Sequence, residues 1–446
     1  MAGLTHMLLL VGVIGALLPL DVVGAPSGTS ERYQVLTVTP QTEDDVQTLH
    51  LIKTNPNLEV SFWTYPGAAG QAVDLMVSSS RLKQLQKHLE KGNFTTEVKI
   101  ENVEELARQQ MAGSSRPSEI ASLGLQPTGF DYGKYHTYQE IFYWTRNITD
   151  AYRKMTRLHH LGMTFEGRWI HGIQISTALQ RDTSNAALRP ALYFQAGMHA
   201  REWIGPATIM FMTASLLDQY GTDKDVTTLL DTFDVFIVPL VNADGYAYTW
   251  TSEPNARAWR KTRTNNTGSD CVGVDPNRNF AVKFADEGAS QDPCSDQYCG
   301  PFPFFAVEVY NVAQFLVSQP GVSIKGFIDF HSYSQLWMTP YGYTKELPPD
   351  YKAQLEGCNE SIASLKAVYG TEYQCGSIAN VINYLSSGSS ADFTYIKLNI
   401  TYSYGVELRD AGKYGFLLPP DQIIPSGTET LAGLVTYGLF VKGKLP

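Results

Sequence analysis

From about residue 130 onward, short apolar runs alternate with longer stretches of helical periodicity, and this alternation limits the fold more than any other feature of the chain. Parallel strands cannot be joined by tight turns; each pair needs a crossover of about a dozen residues or more, usually a helix. Strands are expected over Met163 to Arg168, Ile170 to Ser176, Ala191 to Gly197, Phe233 to Val241, Ile324 to Phe330 and Ile400 to Glu407. Helices are expected over Tyr138 to Leu158, Trp203 to Tyr220, Phe304 to Leu316, Tyr351 to Tyr369 and Glu429 to Lys442. The first two strands read as a hairpin. The rest imply an α/β domain with a mixed, largely parallel sheet flanked by helices.

The preceding residues read as a separate small unit. Tyr33 to Val38 alternates like a strand, and Thr42 opens a helix to about Lys53 with Asp44 and Asp45 in its first turn. Strands over Glu59 to Thr64 and Gln71 to Val77, a helix over Ser79 to Lys91 and a strand over Thr96 to Ile100 complete a β-α-β-β-α-β order. That order suits a ferredoxin-like α+β domain. A helix over Glu101 to Ala112 runs into the breaker cluster Gly113-Ser114-Ser115-Arg116-Pro117-Ser118. The expected divisions are a leader over 1–24, a small domain over 25–112, a linker over 113–129 and a large domain over 130–446.

The apolar run Met7 to Leu20 is too short for a membrane span and right for the core of a signal peptide, with cleavage near Gly24, although no Lys or Arg precedes it. The product is expected outside the cell, where the sequons at Asn93, Asn147, Asn265, Asn359 and Asn399 can be glycosylated. Five cysteines in an oxidising compartment suggest two disulfides and one spare thiol. A formal net charge of −10 with no basic block argues against nucleic acid or an anionic membrane as partner.

Chemistry concentrates at Gly197-Met198-His199-Ala200-Arg201-Glu202-Trp203, at the exit of an apolar strand. Imidazole and carboxylate are both zinc donors, and a catalytic zinc takes three protein ligands with one position open. His331, ending the apolar strand Gly326 to Phe330, is the natural third.

These segments, together with Tyr135-His136-Thr137, Val241 to Gly245, Trp259 to Arg263, Gly273 to Asn279, His331 to Ser334 and Glu407 to Asp410, resemble the secreted zinc metallocarboxypeptidases of the pancreatic A/B type over nearly the whole chain. The resemblance implies a zymogen in which residues 25–112 are an inhibitory pro-domain and 130–446 the catalytic domain. It assigns one Zn2+ to His199, Glu202 and His331, the general base to Glu407 and oxyanion stabilisation to Arg260. Asn277 and Arg278 would clamp a substrate's terminal carboxylate, with Tyr384 closing over it. Tyr395 is the alternative, because the segment from Gly376 to Asp392 is one residue longer than in the pancreatic enzymes. Asp275 would support His199, while Arg201, Ser332 and Tyr333 would line the subsites before the scissile bond. Similar enzymes close the loop from Cys271 to Cys294 with a disulfide; Cys358 with Cys375 can form the second, leaving Cys299 free.

In similar enzymes an acid just before the Asp at 392 selects Lys and Arg; here that residue is Ala391, with Gly405 and Met338 as further walls, so apolar and aromatic C-terminal residues are expected. The expected partners are peptides or proteins with a free C-terminus, the chain's own pro-domain and an activating endopeptidase, with no nucleic acid and no membrane. The expected enzyme is a digestive monomer. Activation is expected from a cut after Leu123 or Leu125, or at Arg108 followed by trimming. An inactive binding relative would lack a ligand or the base. A zinc endopeptidase would need an H-E-x-x-H helix, which is absent.

Overall fold

A computed structural model describes residues 31–114, 125, 129–179, 188–319 and 321–445. The expected leader, its cleavage near Gly24, most of the linker and a cut after Leu123 lie outside the described residues.

The small N-terminal sheet is built from β1 (Tyr33–Pro40), β2 (Ser61–Phe62), β3 (Val73–Ser78) and β4 (Phe94–Ile100), with α1 (Glu43–Lys53) and α2 (Leu82–Leu89) between them. Its order, β2-β3-β1-β4, and its antiparallel pairing are those of the expected ferredoxin-like unit. Thr42 starts α1 with a capping box, its hydroxyl accepting from the Asp45 N–H while the Asp45 carboxylate returns to the Thr42 backbone. Leu36, Val38, Leu49, Leu75 and Leu85 form one side of this unit's core. Helix α3 (Val103–Ser114) follows.

The large domain begins with α4 (Tyr138–Ala151), capped by Thr137 and Glu140 in the same reciprocal manner. Strands β5 (Thr156–Met163), β6 (Trp169–Ile175) and β7 (Arg189–Ala196) follow, then α5 (Ile204–Gln219), α6 (Lys224–Thr232), β8 (Asp234–Val238) and α7 (Ala243–Tyr248). The chain continues through α8 (Val307–Val317), β9 (Val322–Ser332), β10 (Leu336–Thr339), α9 (Tyr351–Tyr369) and β11 (Gln374–Ser377). It ends with α10 (Ile378–Val381), α11 (Ser390–Leu398), β12 (Tyr402–Leu408) and α12 (Ile423–Gly443). The expected helix over Tyr138 to Leu158 thus stops at Ala151 and gives way to β5, so the hairpin strands begin and end earlier than their sequence pattern implies.

The eight strands pair in the order β11-β10-β12-β9-β7-β8-β6-β5. Strands β12, β9, β7 and β8 run parallel, and antiparallel pairs flank them. One face packs on α4, α5, α6, α9 and α12 through residues such as Trp144, Leu192, Ile209, Leu229, Leu365 and Leu434. The other packs on α8, α11 and the loop around Val274 and Phe280 through Tyr193, Phe236, Val309 and Phe327. Helix α5 is buried from Ile204 to Leu217, as a helix apolar on all sides must be. Two disulfides, Cys271–Cys294 and Cys358–Cys375, are formed, and Cys299 is a buried thiol. All five sequon asparagines are exposed.

Topology sets the place of the chemistry. From β7 the chain moves through helices to β8 on one side, then crosses to β9 on the other. The connection reverses between β7 and β9, and ligands of open α/β sheets bind in the crevice at the carboxyl ends of such strands.

Candidate active site

His199 lies just past the carboxyl end of β7, and His331 near that of β9. Gly197 turns the chain out of β7 with φ of +68°, a conformation costly to any other residue, and a Cβ there would stand 2.6 Å from Leu240 Cδ1. His199 and Glu202 occupy the turn before α5, not the helix itself. The helix anchors them through Trp203, which is buried against Tyr135 and Trp250 and donates its indole N–H to Thr249 Oγ1 at 2.8 Å.

Glu202 stands between the histidines: Oε1 is 2.7 Å from His199 Nδ1, and Oε2 is 3.0 Å from His331 Nδ1. One donor atom from each of the three falls within 4.8 Å of the others, and all three side chains are buried. Two imidazole nitrogens and a carboxylate oxygen converging on one point, with both Nδ1 atoms turned inward, fit one zinc ion and leave a coordination position open. Burial alone would raise the Glu202 carboxyl; His199 and His331 hold it below its usual range.

Around this centre the ring nitrogens facing outward are engaged. His199 Nε2 is 3.1 Å from Asp275 Oδ1, and the other oxygen of Asp275 accepts from Arg260 Nη2 at 2.9 Å and Nε at 3.1 Å. Arg260 therefore keeps its positive charge and stands 4.0 Å from Glu202. Glu407 is the register partner of His331 on β12, so their side chains share a face of the sheet. Its Oε2 is shut from solvent with no hydrogen-bond partner, and burial pushes its carboxyl up to about 8.

A cavity of about 280 Å³ joins these groups to Asn277, Arg278 and Tyr384. Arg278 is braced by the Gly288 and Asn277 carbonyls, each at 2.9 Å. Asn277 Oδ1 accepts from the Ser390 N–H at 2.8 Å, which fixes its amide with the N–H side toward His331. Tyr384 lines the cavity; Tyr395 does not, and its hydroxyl instead donates to Asp350 at 2.9 Å. Beyond Arg278 the lining is Met338, Ile378, Val381, Ile382, Ala391 and Gly405, without a charged side chain. A Cβ on Gly405 would meet only Met338 Cε, at 4.0 Å, so glycine leaves that wall open.

Of the remaining expected site residues, Arg201 and Tyr333 meet the small domain. Arg201 is fully buried, with its guanidinium 4.2 Å from the Phe416 ring centroid and donating to the Phe62 carbonyl at 3.3 Å. The Tyr333 hydroxyl donates to Asp74 at 2.6 Å, and Ser332 lines the cavity. Trp63, Thr64, Tyr65 and Gln71 of the small domain line the same cavity, and Tyr384 packs edge-on against Tyr65 at 5.4 Å. Sequence reasoning missed two residues here. Ser390 braces Asn277, and Asp329 lies fully buried beside His331; a carboxylate in the middle of an apolar strand was the available signal for Asp329.

Comparison with known proteins agrees with this geometry. Residues 141–433 match the zinc carboxypeptidase family, and residues 36–110 match the carboxypeptidase activation peptide. Carboxypeptidase A2 of Mus musculus is 39% identical over 406 residues, covering 90% of this chain and 92% of that protein. Carboxypeptidase A1 of the same organism is 36% identical, covering 91% and 92%. The crystal structure of thrombin activatable fibrinolysis inhibitor superposes with a TM-score of 0.82 at 35% identity, covering 93% of this chain and all of that one.

Proposed function

We propose, on the premise that this chain belongs to the zinc carboxypeptidase family, that it is a secreted digestive zymogen whose cleaved form removes single C-terminal residues, preferring apolar and aromatic ones. The observation that carries this reading is the convergence on one cavity of Asn277 and Arg278 with His199, Glu202, His331 and Glu407, where the far walls are uncharged. An anion-binding arginine beside a hydrolytic centre measures the distance from a chain end, which defines an exopeptidase.

His199, Glu202 and His331 would hold the zinc, which when bound supplies positive charge to polarise a carbonyl and acidify water. Arg278 forms a charge-assisted pair with the terminal carboxylate, Asn277 adds a neutral donor, and Tyr384 covers both from solvent. Glu407, whose Oε2 is left without a hydrogen-bond partner, accepts as the carboxylate the proton of the attacking water and passes it to the leaving amine. Arg260, permanently charged and fixed by Asp275, stabilises the developing oxyanion. The side chain being released enters the space between Met338, Ala391 and Gly405. An ammonium there would be buried without a partner, at a cost an apolar ring does not incur.

Residues 25–112 act as the pro-domain: the contacts of Phe62 with Arg201 and of Asp74 with Tyr333 occupy the subsites a substrate chain would use. An endopeptidase cutting after Leu123 or Leu125, or at Arg108 with later trimming, would release it. The apolar N-terminal run, the exposed sequons and the two disulfides support an extracellular location, and no helix among the described residues is long and apolar enough to cross a membrane. The test is hydrolysis of blocked dipeptides by the cleaved protein. Activity should require a free terminal carboxylate and vanish with a chelator; equal cleavage of the C-terminal amides would refute the reading.

A further inference from the structure

We propose that Asp329 is a positioning residue for His331, setting its tautomer so that Nδ1 presents a lone pair to the metal, as Asp275 does for His199. The inference rests on the reading of His331 as a zinc ligand.

Asp329 stands two residues before His331 on β9, so both side chains project from the same face of the sheet. It is fully buried. A carboxylate there is expensive unless a cation or strong donors face it. Its Oδ2 lies 3.1 Å from His331 Nε2 and accepts from Ser390 Oγ at 2.6 Å, while Oδ1 is buried without a hydrogen-bond partner. The His331 Nε2–H is therefore the ring donor that its position serves.

The second observation concerns what else faces that ring nitrogen. Asn277 presents its amide Nδ2 to His331 Nε2 at 3.3 Å, and the Ser390 N–H on Asn277 Oδ1 prevents the amide from turning over. Alone, that donor would make Nε2 an acceptor. The proton would then sit on Nδ1, which is 3.0 Å from Glu202 Oε2 and points into the donor cluster, where it would block metal binding. Asp329 reverses the preference, because a carboxylate acceptor outweighs a neutral amide donor for the proton on Nε2. Ser390 holds both competitors, its N–H on Asn277 and its hydroxyl on Asp329.

The experiment measures the zinc dissociation constant of the full chain by chelator competition, with thermal melting as the check on folding. Asp329→Ala is expected to weaken zinc by about 10- to 100-fold, as loss of outer-shell partners does elsewhere. Removing the competing donor as well, in Asp329→Ala with Asn277→Ala, is expected to restore part of that affinity, which a purely structural role would not do. Should the alanine variant fail to fold, Asp329→Ser paired with Asn277→Ala gives the same comparison. His331→Ala separates the two ideas. If it binds zinc as the parent does, the ligand reading falls; if it loses zinc while Asp329→Ala keeps parental affinity, only the positioning role falls. A loss in Asp329→Ala that Asn277→Ala leaves unchanged also overturns the tautomer argument.

Discussion

Asp74 of the small domain and Tyr333 of the large one meet in a 2.6 Å hydrogen bond, with Lys99 Nζ 2.5 Å and Thr37 Oγ1 2.7 Å from the same buried carboxylate. The tyrosine that would line a substrate subsite is held instead by a charge-assisted bond to the segment above it. A hydrogen bond to a charged group contributes about 1.5–3 kcal/mol. Asp74→Asn is therefore expected to raise the activity of the uncleaved protein on a blocked dipeptide by about tenfold. The cleaved enzyme should be unchanged, because residue 74 is no longer part of it. Equal activity of parent and variant before cleavage would show that this contact does not hold the domain down.

The layered α/β architecture was legible because α5, α9 and α12 are far longer than any strand, α5 and α12 are buried along much of their length, and the strand that delivers His199 is largely apolar. Elements of four residues were not. Strands β10 and β11 are too short for any period to show, yet β10 pairs with β12 and supplies Met338 to the cavity. The overrun of α4 has the same origin, since β5 is an edge strand with only one of its eight residues buried and reads as the flank of a helix. Within the site, residues in dense motifs were readable, and those acting through backbone placement were not. Ser390 is one of many serines in the sequence, and only the fold brings its N–H to Asn277 and its hydroxyl to Asp329.

Glu407 has one oxygen without a partner in a water-poor site, the arrangement of a group that must gain and lose a proton. Glu407→Gln keeps the shape and removes that capacity. It is expected to lower kcat by at least about 10²-fold, the smaller end of general-base contributions, while zinc content by metal analysis stays at one per chain. Retained turnover would assign the base elsewhere.

The walls formed by Ala391, Gly405 and Met338 predict the order of release from peptides that differ only in their last residue. Phe and Leu should be released faster than Lys or Glu. Ala391→Asp should reverse the preference between Phe and Lys by introducing a carboxylate among those walls, and kcat/KM for the two peptides measures it. Faster release of Lys than of Phe by the parent enzyme would reject the apolar pocket.

Glu308 provides a pH prediction far from the metal centre. It sits in the first turn of α8, fully buried, with Oε1 accepting from the Phe165 N–H at 3.2 Å and Oε2 without a partner. Burial, with Asp244 and Glu166 adding repulsion, pushes its carboxyl from 4.5 up to about 7, while Arg168 is committed to Asp244 and Glu166. The folded protein thus holds a proton there that the unfolded chain releases near 4.5. Glu308 leaves stability intact below that value, and stability falls as pH rises from 4.5 to about 7 before levelling off. Glu308→Gln removes the ionisation, so its effect on unfolding free energy should become more favourable between pH 5 and pH 8, by on the order of 2 kcal/mol. Denaturant melts of both proteins at the two pH values measure the difference, and a substitution effect that is the same at both would show that Glu308 ionises in the fold as freely as in water.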